Sequence, residues 1–191
     1  METSNIKYII RNVEILDLPA LEWNGEYKHF RRLYKELFRR AENGEAFMWV
    51  AEIPDIGIVG QLFMQYASNR KIIIGTLPKA YIFSVRVKPN FRNKGIGTTL
   101  ISHAEKHLIE HGLQYATLNV IKSNHKAIRF YESLGYKIVR HEDGKWTYVD
   151  HKGNVQHVHE PSWRMEKQLA ARSDEYTYQN HPCIPDISML K

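Results

Sequence analysis

At 191 residues and 43% apolar content the chain suits one soluble globular domain with a full core. Lys and Arg outnumber Asp and Glu 27 to 21, a formal net charge of +6 that would draw in an anionic ligand. Cys183 is the only cysteine, which excludes an intrachain disulfide. No apolar run reaches membrane-spanning length and the first residues lack a signal-peptide stretch, so a cytoplasmic protein with no membrane partner is expected.

In chain order, Ile6 to Val13 predicts a strand, Asp17 the cap of a short helix that tolerates Pro19 early, and Glu26 to Glu42 a basic amphipathic helix closed by Asn43-Gly44. That helix sets Phe30, Leu33, Tyr34, Leu37, Phe38 and Ala41 on one face and Arg31, Arg32, Lys35, Arg39 and Arg40 around the other. A basic helix suits nucleic acid, but no nucleic-acid motif accompanies it, and a solvated face is the expectation. Ala46 to Glu52 and Ile58 to Ala67 read as a hairpin of strands joined through Ile53–Gly57, followed by a loop from Ser68 to Lys79.

Tyr81 to Asn90 is β-branched and aromatic and ends at Pro89. Phe91–Gly97 then leads into a helical run from Thr98 to His111, giving strand, glycine turn and helix in succession. Gly95 and Gly97 let the backbone bend tightly and gather N–H groups beside a helix N-terminus, where partial positive charge favours an anion. Arg92 and Lys94 add full charges, and a pyrophosphate fits the concavity. The turn is not a dinucleotide fingerprint, which needs a third glycine and an acidic residue about 20 positions on. Nor is it a Walker A loop, because Lys94 precedes its glycine.

Tyr115 to Ile121 predicts a strand, Asn124 caps a helix carrying Ala127, Phe130, Tyr131 and Leu134 at helical spacing, and Gly135 ends it before Tyr136 to His141 resumes extended structure. Two turn signals, Glu142–Gly144 and His151–Asn154, flank Lys145–Asp150 and Val155–His159, which reads as an inserted hairpin. Ser162 to Gln168 is a last strand. Residues 169–191 form a tail with proline punctuation and no sustained periodicity, open to a mobile, covering or partner-reaching role.

Arg92-Asn-Lys-Gly-Ile-Gly97 resembles the Q/R-x-x-G-x-G/A motif of the GNAT superfamily of N-acetyltransferases, and Asn124 to Tyr136 resembles its second block at the expected separation. The resemblance covers about residues 6 to 168. It implies a single α/β (α+β) domain, here 1–168 with the hairpin near 145–159 inserted, and a mixed, mostly antiparallel sheet splayed at the cofactor site with helices on both faces. It implies acetyl-CoA as cosubstrate, no metal, and direct attack by a primary amine in a ternary complex. By the same resemblance the strand around Val85 and Val87 carries a bulge whose backbone pairs with pantetheine and polarises the thioester carbonyl. Arg92, Asn93, Lys94, Gly95, Ile96, Gly97 and Thr98 would hold the pyrophosphate, Asn124 and Lys126 would approach the cofactor, and Tyr131 would protonate the leaving thiolate.

Where family members often carry a glutamate on the central strand, this chain has Ser84 and Arg86, which leaves the base open among Glu22, Glu26, His157, His159 and Glu160. His157 and His159 share one strand face, with no third metal ligand of clear identity. The acceptor amine, whether small molecule or protein, is open, as is monomer or homodimer. Transfer of a longer acyl group and a non-catalytic acyl-CoA sensor are the alternatives.

Overall fold

The computed structural model describes residues 6–66 and 79–169. Among the described residues there are nine strands, β1 (Ile9–Asn12), β2 (Ala46–Ile53), β3 (Gly57–Tyr66), β4 (Lys79–Val87), β5 (Tyr115–Ile121), β6 (Lys137–Glu142), β7 (Lys145–Val149), β8 (Val155–His159) and β9 (Ser162–Gln168), and three α-helices, α1 (Arg31–Glu42), α2 (Ile96–Glu110) and α3 (His125–Ser133), which follow β1, β4 and β5. Seven strands form one sheet in the order β1-β2-β3-β4-β5-β9-β6, and β7 and β8 form a separate hairpin. Only β4 and β5 pair in parallel; every other neighbour is antiparallel. In chain order β7 and β8 fall between β6 and β9. The expected tail and loop fall, apart from Lys79 and Leu169, outside the described residues.

Alternation along the strands builds two cores. On β2, Met48 and Val50 pack with Tyr34 and Leu37 of α1, whereas Trp49 and Ala51 pack with Leu100, Ala104 and Leu108 of α2 on the opposite face. Helices thus cover both faces of the sheet. Among the described residues no helix is long and apolar enough to cross a membrane.

Two sequence expectations change. Asp17 does not cap a helix: it ends a single 3₁₀ turn, Ile15–Asp17, and its carboxylate accepts from the Glu14 N–H while pairing with Arg11. The basic helix begins at Arg31 rather than Glu26, because Trp23, Asn24 and Gly25 take positive φ values of 48°, 58° and 98° that reverse the chain into another 3₁₀ turn, Lys28–Phe30. Three of the basic side chains of α1 are ion-paired, Arg31 with Glu22, Arg39 with Glu36 and Arg40 with Glu45.

Candidate active site

The glycine turn meets α2 through two glycines with different reasons to be glycine. Gly95 caps α2 in the left-handed region at φ 80°, with no side chain capping the helix, so the N–H groups of the first turn stay available. Gly97 sits one turn under α3, where an added Cβ would lie 3.3 Å from the Phe130 ring. Ile96 between them is 1% exposed and anchors the turn in the core. Around it Arg92, Asn93, Lys94 and Thr98 are exposed, and Asn93 is also left-handed at φ 60°. Arg92 Nε donates to the Val87 carbonyl at 2.9 Å, tying the turn to the end of β4. Lys94 and Lys126 form no ion pair among the described residues. The result is an uncapped helix N-terminus with Arg92 and Lys94 in the turn that leads into it, an arrangement whose partial and full positive charges favour an anion.

The strand before the turn is irregular where chemistry needs free backbone. From Gln61 to Phe63 β3 advances two residues while β4 passes from Arg86 to Phe83, three, so β4 holds an extra residue and Ser84 takes φ 55°. Pairing of β4 with β5 ends at Ile82 and Leu118, whereas β5 stays paired with β9 as far as Ile121 and Ser162. The two strands therefore part, and the edge of β4 from Phe83 through Val85 to Val87 faces the gap. This is the splay expected from the resemblance.

Beyond β5, Asn124 caps α3 by accepting from the Ala127 N–H at 3.1 Å, which leaves its Nδ2 to give elsewhere. Tyr131 is 8% exposed and packs edge-on against Phe130 and Tyr136 at 5.1 and 5.8 Å. Burial pushes its phenol well above the ordinary value of 10, with the nearby Tyr81 hydroxyl adding to the shift, so the hydroxyl keeps its proton.

On the α1 side of the sheet the gap has a second wall. Tyr81 stacks on Phe83 at 5.7 Å, and Tyr81 is in register with Thr117, which puts Asn119 on the same face. Asn119 is opposite Arg164 of β9, and Asn119 Oδ1 and Arg164 Nε are both buried with no hydrogen-bond partner. Arg164 lies 5.3 Å from the Tyr81 ring and reaches Glu142 at 3.1 Å. Buried polar atoms of this kind call for a polar partner, from water or from a ligand.

Beside the bulge, the fully buried Gln61 of β3 accepts from Trp23 Nε1 at 2.9 Å and donates to Ser84 Oγ of β4 at 3.4 Å, and Ser84 Oγ also accepts from Arg86 at 2.7 Å. The hairpin closes over this region: Tyr148 and Trp146 lie 5.0 and 6.1 Å from Phe30, at the start of α1.

Of the bases considered from sequence, Glu22 is held by two hydrogen bonds from Arg31 that keep its carboxyl below the usual range. His157 and His159 pair with Thr147 and Lys145 on the outer face of the hairpin, opposite to Trp146 and Tyr148. Glu26 and Glu160 are exposed. Tyr81, Asn119, Arg164 and Gln61 were not singled out by sequence. Alternation marks Tyr81 with Phe83, but only the pairing of β4, β5 and β9 assembles the group.

The comparisons agree with this geometry. A family model described as the acetyltransferase (GNAT) family matches residues 12–136. An N-alpha-acetyltransferase of Sulfurisphaera tokodaii is 31% identical over 160 residues, 75% of this chain and 91% of that protein. Arabidopsis thaliana NAA60 in complex with a bisubstrate analogue superposes with a TM-score of 0.64 at 22% identity, over 87% of this chain and 100% of that one. Chaetomium thermophilum Naa20 with a bisubstrate analogue gives 0.65 at 24% identity, over 84% of this chain and 86% of that one.

Proposed function

The chain belongs to the GNAT family of acetyltransferases and is an enzyme that moves acetyl from acetyl-CoA to a primary amine, and on that premise we propose that its acceptor is the α-amine at the N-terminus of a peptide or protein. One observation carries the reading: neither β4 nor β5, the strands that part at the cleft, bears a carboxylate or an imidazole. A lysine ε-amine, with a pKa of about 10.4, is almost wholly protonated at neutral pH and needs a strong base. An α-amine has a pKa of about 7.7–8.0, so roughly a tenth is neutral at pH 7 and can attack without one. The S. tokodaii relative, named an N-alpha-acetyltransferase, supports the same acceptor.

In this reading the pyrophosphate sits at the α2 N-terminus among Arg92, Asn93, Lys94, Gly95, Ile96, Gly97 and Thr98. Lys126 and the Asn124 amide reach it or the adjoining arm. Backbone groups of Val85 and Val87 orient pantetheine and the thioester carbonyl. The amine enters from the α1 side, past Tyr81 and Asn119, whose Oδ1 accepts an amine hydrogen and aims the lone pair. Attack forms the C–N bond and places negative charge on the carbonyl oxygen, which fixed N–H groups stabilise without reorganising. The nitrogen, made cationic by the attack, releases its extra proton to water as the carbonyl re-forms and the C–S bond breaks, while Tyr131 gives its own proton to the thiolate and recovers one from solvent.

The test is thiol release from acetyl-CoA with two sets of short peptides, one with free N-termini and no lysine, one N-terminally blocked with an internal lysine. Transfer to the first set alone is expected. Equal or faster transfer to the blocked set would overturn the N-terminal acceptor.

A further inference from the structure

We propose that the acceptor site reads a carboxylate: the preferred peptide carries an acidic side chain at its first or second residue, and Arg86 holds it. The proposal rests on the N-terminal reading and narrows it. Arg86 is half-buried on β4, two residues past Ser84. Its Nη1 donates to Tyr34 Oη at 3.0 Å and to Ser84 Oγ at 2.7 Å, and its guanidinium carbon lies 4.0 Å from the Tyr27 ring centre and 5.6 Å from that of Phe30. These contacts fix the plane of the group, and none of them supplies a negative charge.

Other arginines behave differently. Arg11, Arg31, Arg39, Arg40, Arg140 and Arg164 each meet a carboxylate. Among the described residues Arg32, Arg92 and Arg129 do not, but they are exposed to water. Arg86 alone of the described arginines is both withdrawn from water and without an acidic partner. A charge so placed is costly unless it is paired, and Nε and Nη2 remain to offer the parallel donors that a carboxylate takes in a bidentate pair.

The position decides which ligand brings the carboxylate. Arg86 faces Tyr27 and Tyr34 on the α1 side, across the sheet from the core that α2 and Tyr131 share, so it is set toward the acceptor rather than the cofactor phosphates. Ser84, which orients Arg86, is itself the left-handed residue of the bulge beside which the amine must attack. A carboxylate on Arg86 therefore belongs to a residue close to the attacking amine. The opposite wall adds no competing acid: Glu142 is shared between Arg140 and Arg164, leaving that trio net positive.

The experiment compares peptides differing only by Glu or Gln at position 1, and likewise at position 2, by thiol release from acetyl-CoA. The expected result is a kcat/KM about tenfold to a hundredfold higher for Glu at one of the positions, the range of a hydrogen bond to a charged group. Arg86→Gln, its fold checked by thermal melting, should bring that ratio close to one, and Arg86→Lys should restore part of it. The wild-type ratio needs no variant, so a misfolded substitution cannot mask the answer. A ratio near one at both positions in the wild type, with free N-termini still acetylated, would overturn the carboxylate site and leave the N-terminal acceptor standing. A Glu preference that survives in folded Arg86→Gln would remove Arg86 from it. Transfer only to lysine side chains would remove the acceptor reading and this proposal together.

Discussion

Tyr131 illustrates how one side chain can fill the core and also be proposed for the chemistry. Its ring fills a buried site between Phe130 and Tyr136, which any aromatic at that helical position would do. Its hydroxyl, by contrast, has no hydrogen-bond partner among the described residues, and burial holds its proton in place through the neutral range. A phenol kept protonated beside the cleft is suited to meet a departing thiolate. Tyr131→Phe preserves the ring and removes only the donor, so turnover should fall by about a hundredfold, the lower range of general acid catalysis, with folding and acetyl-CoA affinity retained. Turnover within twofold of the parent, measured by thiol release, would return Tyr131 to a packing role. The glycines show the limit of motif reading at this scale: the sequence suggests one reason for Gly95 and Gly97, and the structure has two, a left-handed cap for the first and the Phe130 ring for the second.

The β7–β8 hairpin lies outside the seven-stranded sheet, and its faces are already divided. Trp146 and Tyr148 face the start of α1, where Phe30 receives both, while Thr147 and Lys145 share the other face with His157 and His159. The connecting turn is closed by Asp150, whose carboxylate accepts from the Lys152 and Asn154 N–H groups and from Gln156 Nε2, holding its pKa at about 2. The hairpin is thus a built wall on the side proposed for the acceptor, and it follows every proposed cofactor residue in sequence. Replacing Lys145–His159 by a tight Asn-Gly turn should raise the acceptor KM or alter the peptide preference while acetyl-CoA affinity, read by calorimetry, stays nearly unchanged. Loss of cofactor binding with an unaltered peptide preference would move the acceptor pocket elsewhere. This hairpin was legible in sequence because two turn signals bracket two short β-rich runs. Trp146 as a neighbour of Phe30 was not, since more than a hundred positions separate them and no local pattern encodes the meeting.

At the scale of the whole molecule the sheet is two blocks with a narrow join. β1 to β4 form one and β5, β9 and β6 the other, and four residue pairs, Lys79–Tyr115 to Ile82–Leu118, connect them. Periodicity revealed most of the strands and the two long helices, and paired motifs pointed to the turn proposed for the cofactor. The order β5-β9-β6 was beyond local reading, because it follows from which strand edges satisfy each other after the hairpin is inserted. So were Tyr81, Asn119 and Arg164, which gather only once that order exists. The proposed cofactor residues lie on both blocks: Val85 and Val87 with the α2 turn follow β4, while Asn124, Lys126 and Tyr131 follow β5. A cofactor bound across them ties the blocks together in the folded state alone. At a hundredfold excess over Kd such binding stabilises by about 2.7 kcal/mol, which for a chain of this size raises Tm by roughly 5–10 °C. Scanning calorimetry with coenzyme A should show that rise, growing with the logarithm of ligand concentration. Gly95→Val, which forces a β-branched residue into the left-handed cap, should lose most of it. A Tm indifferent to millimolar coenzyme A would mean that the turn and the splay do not form one site.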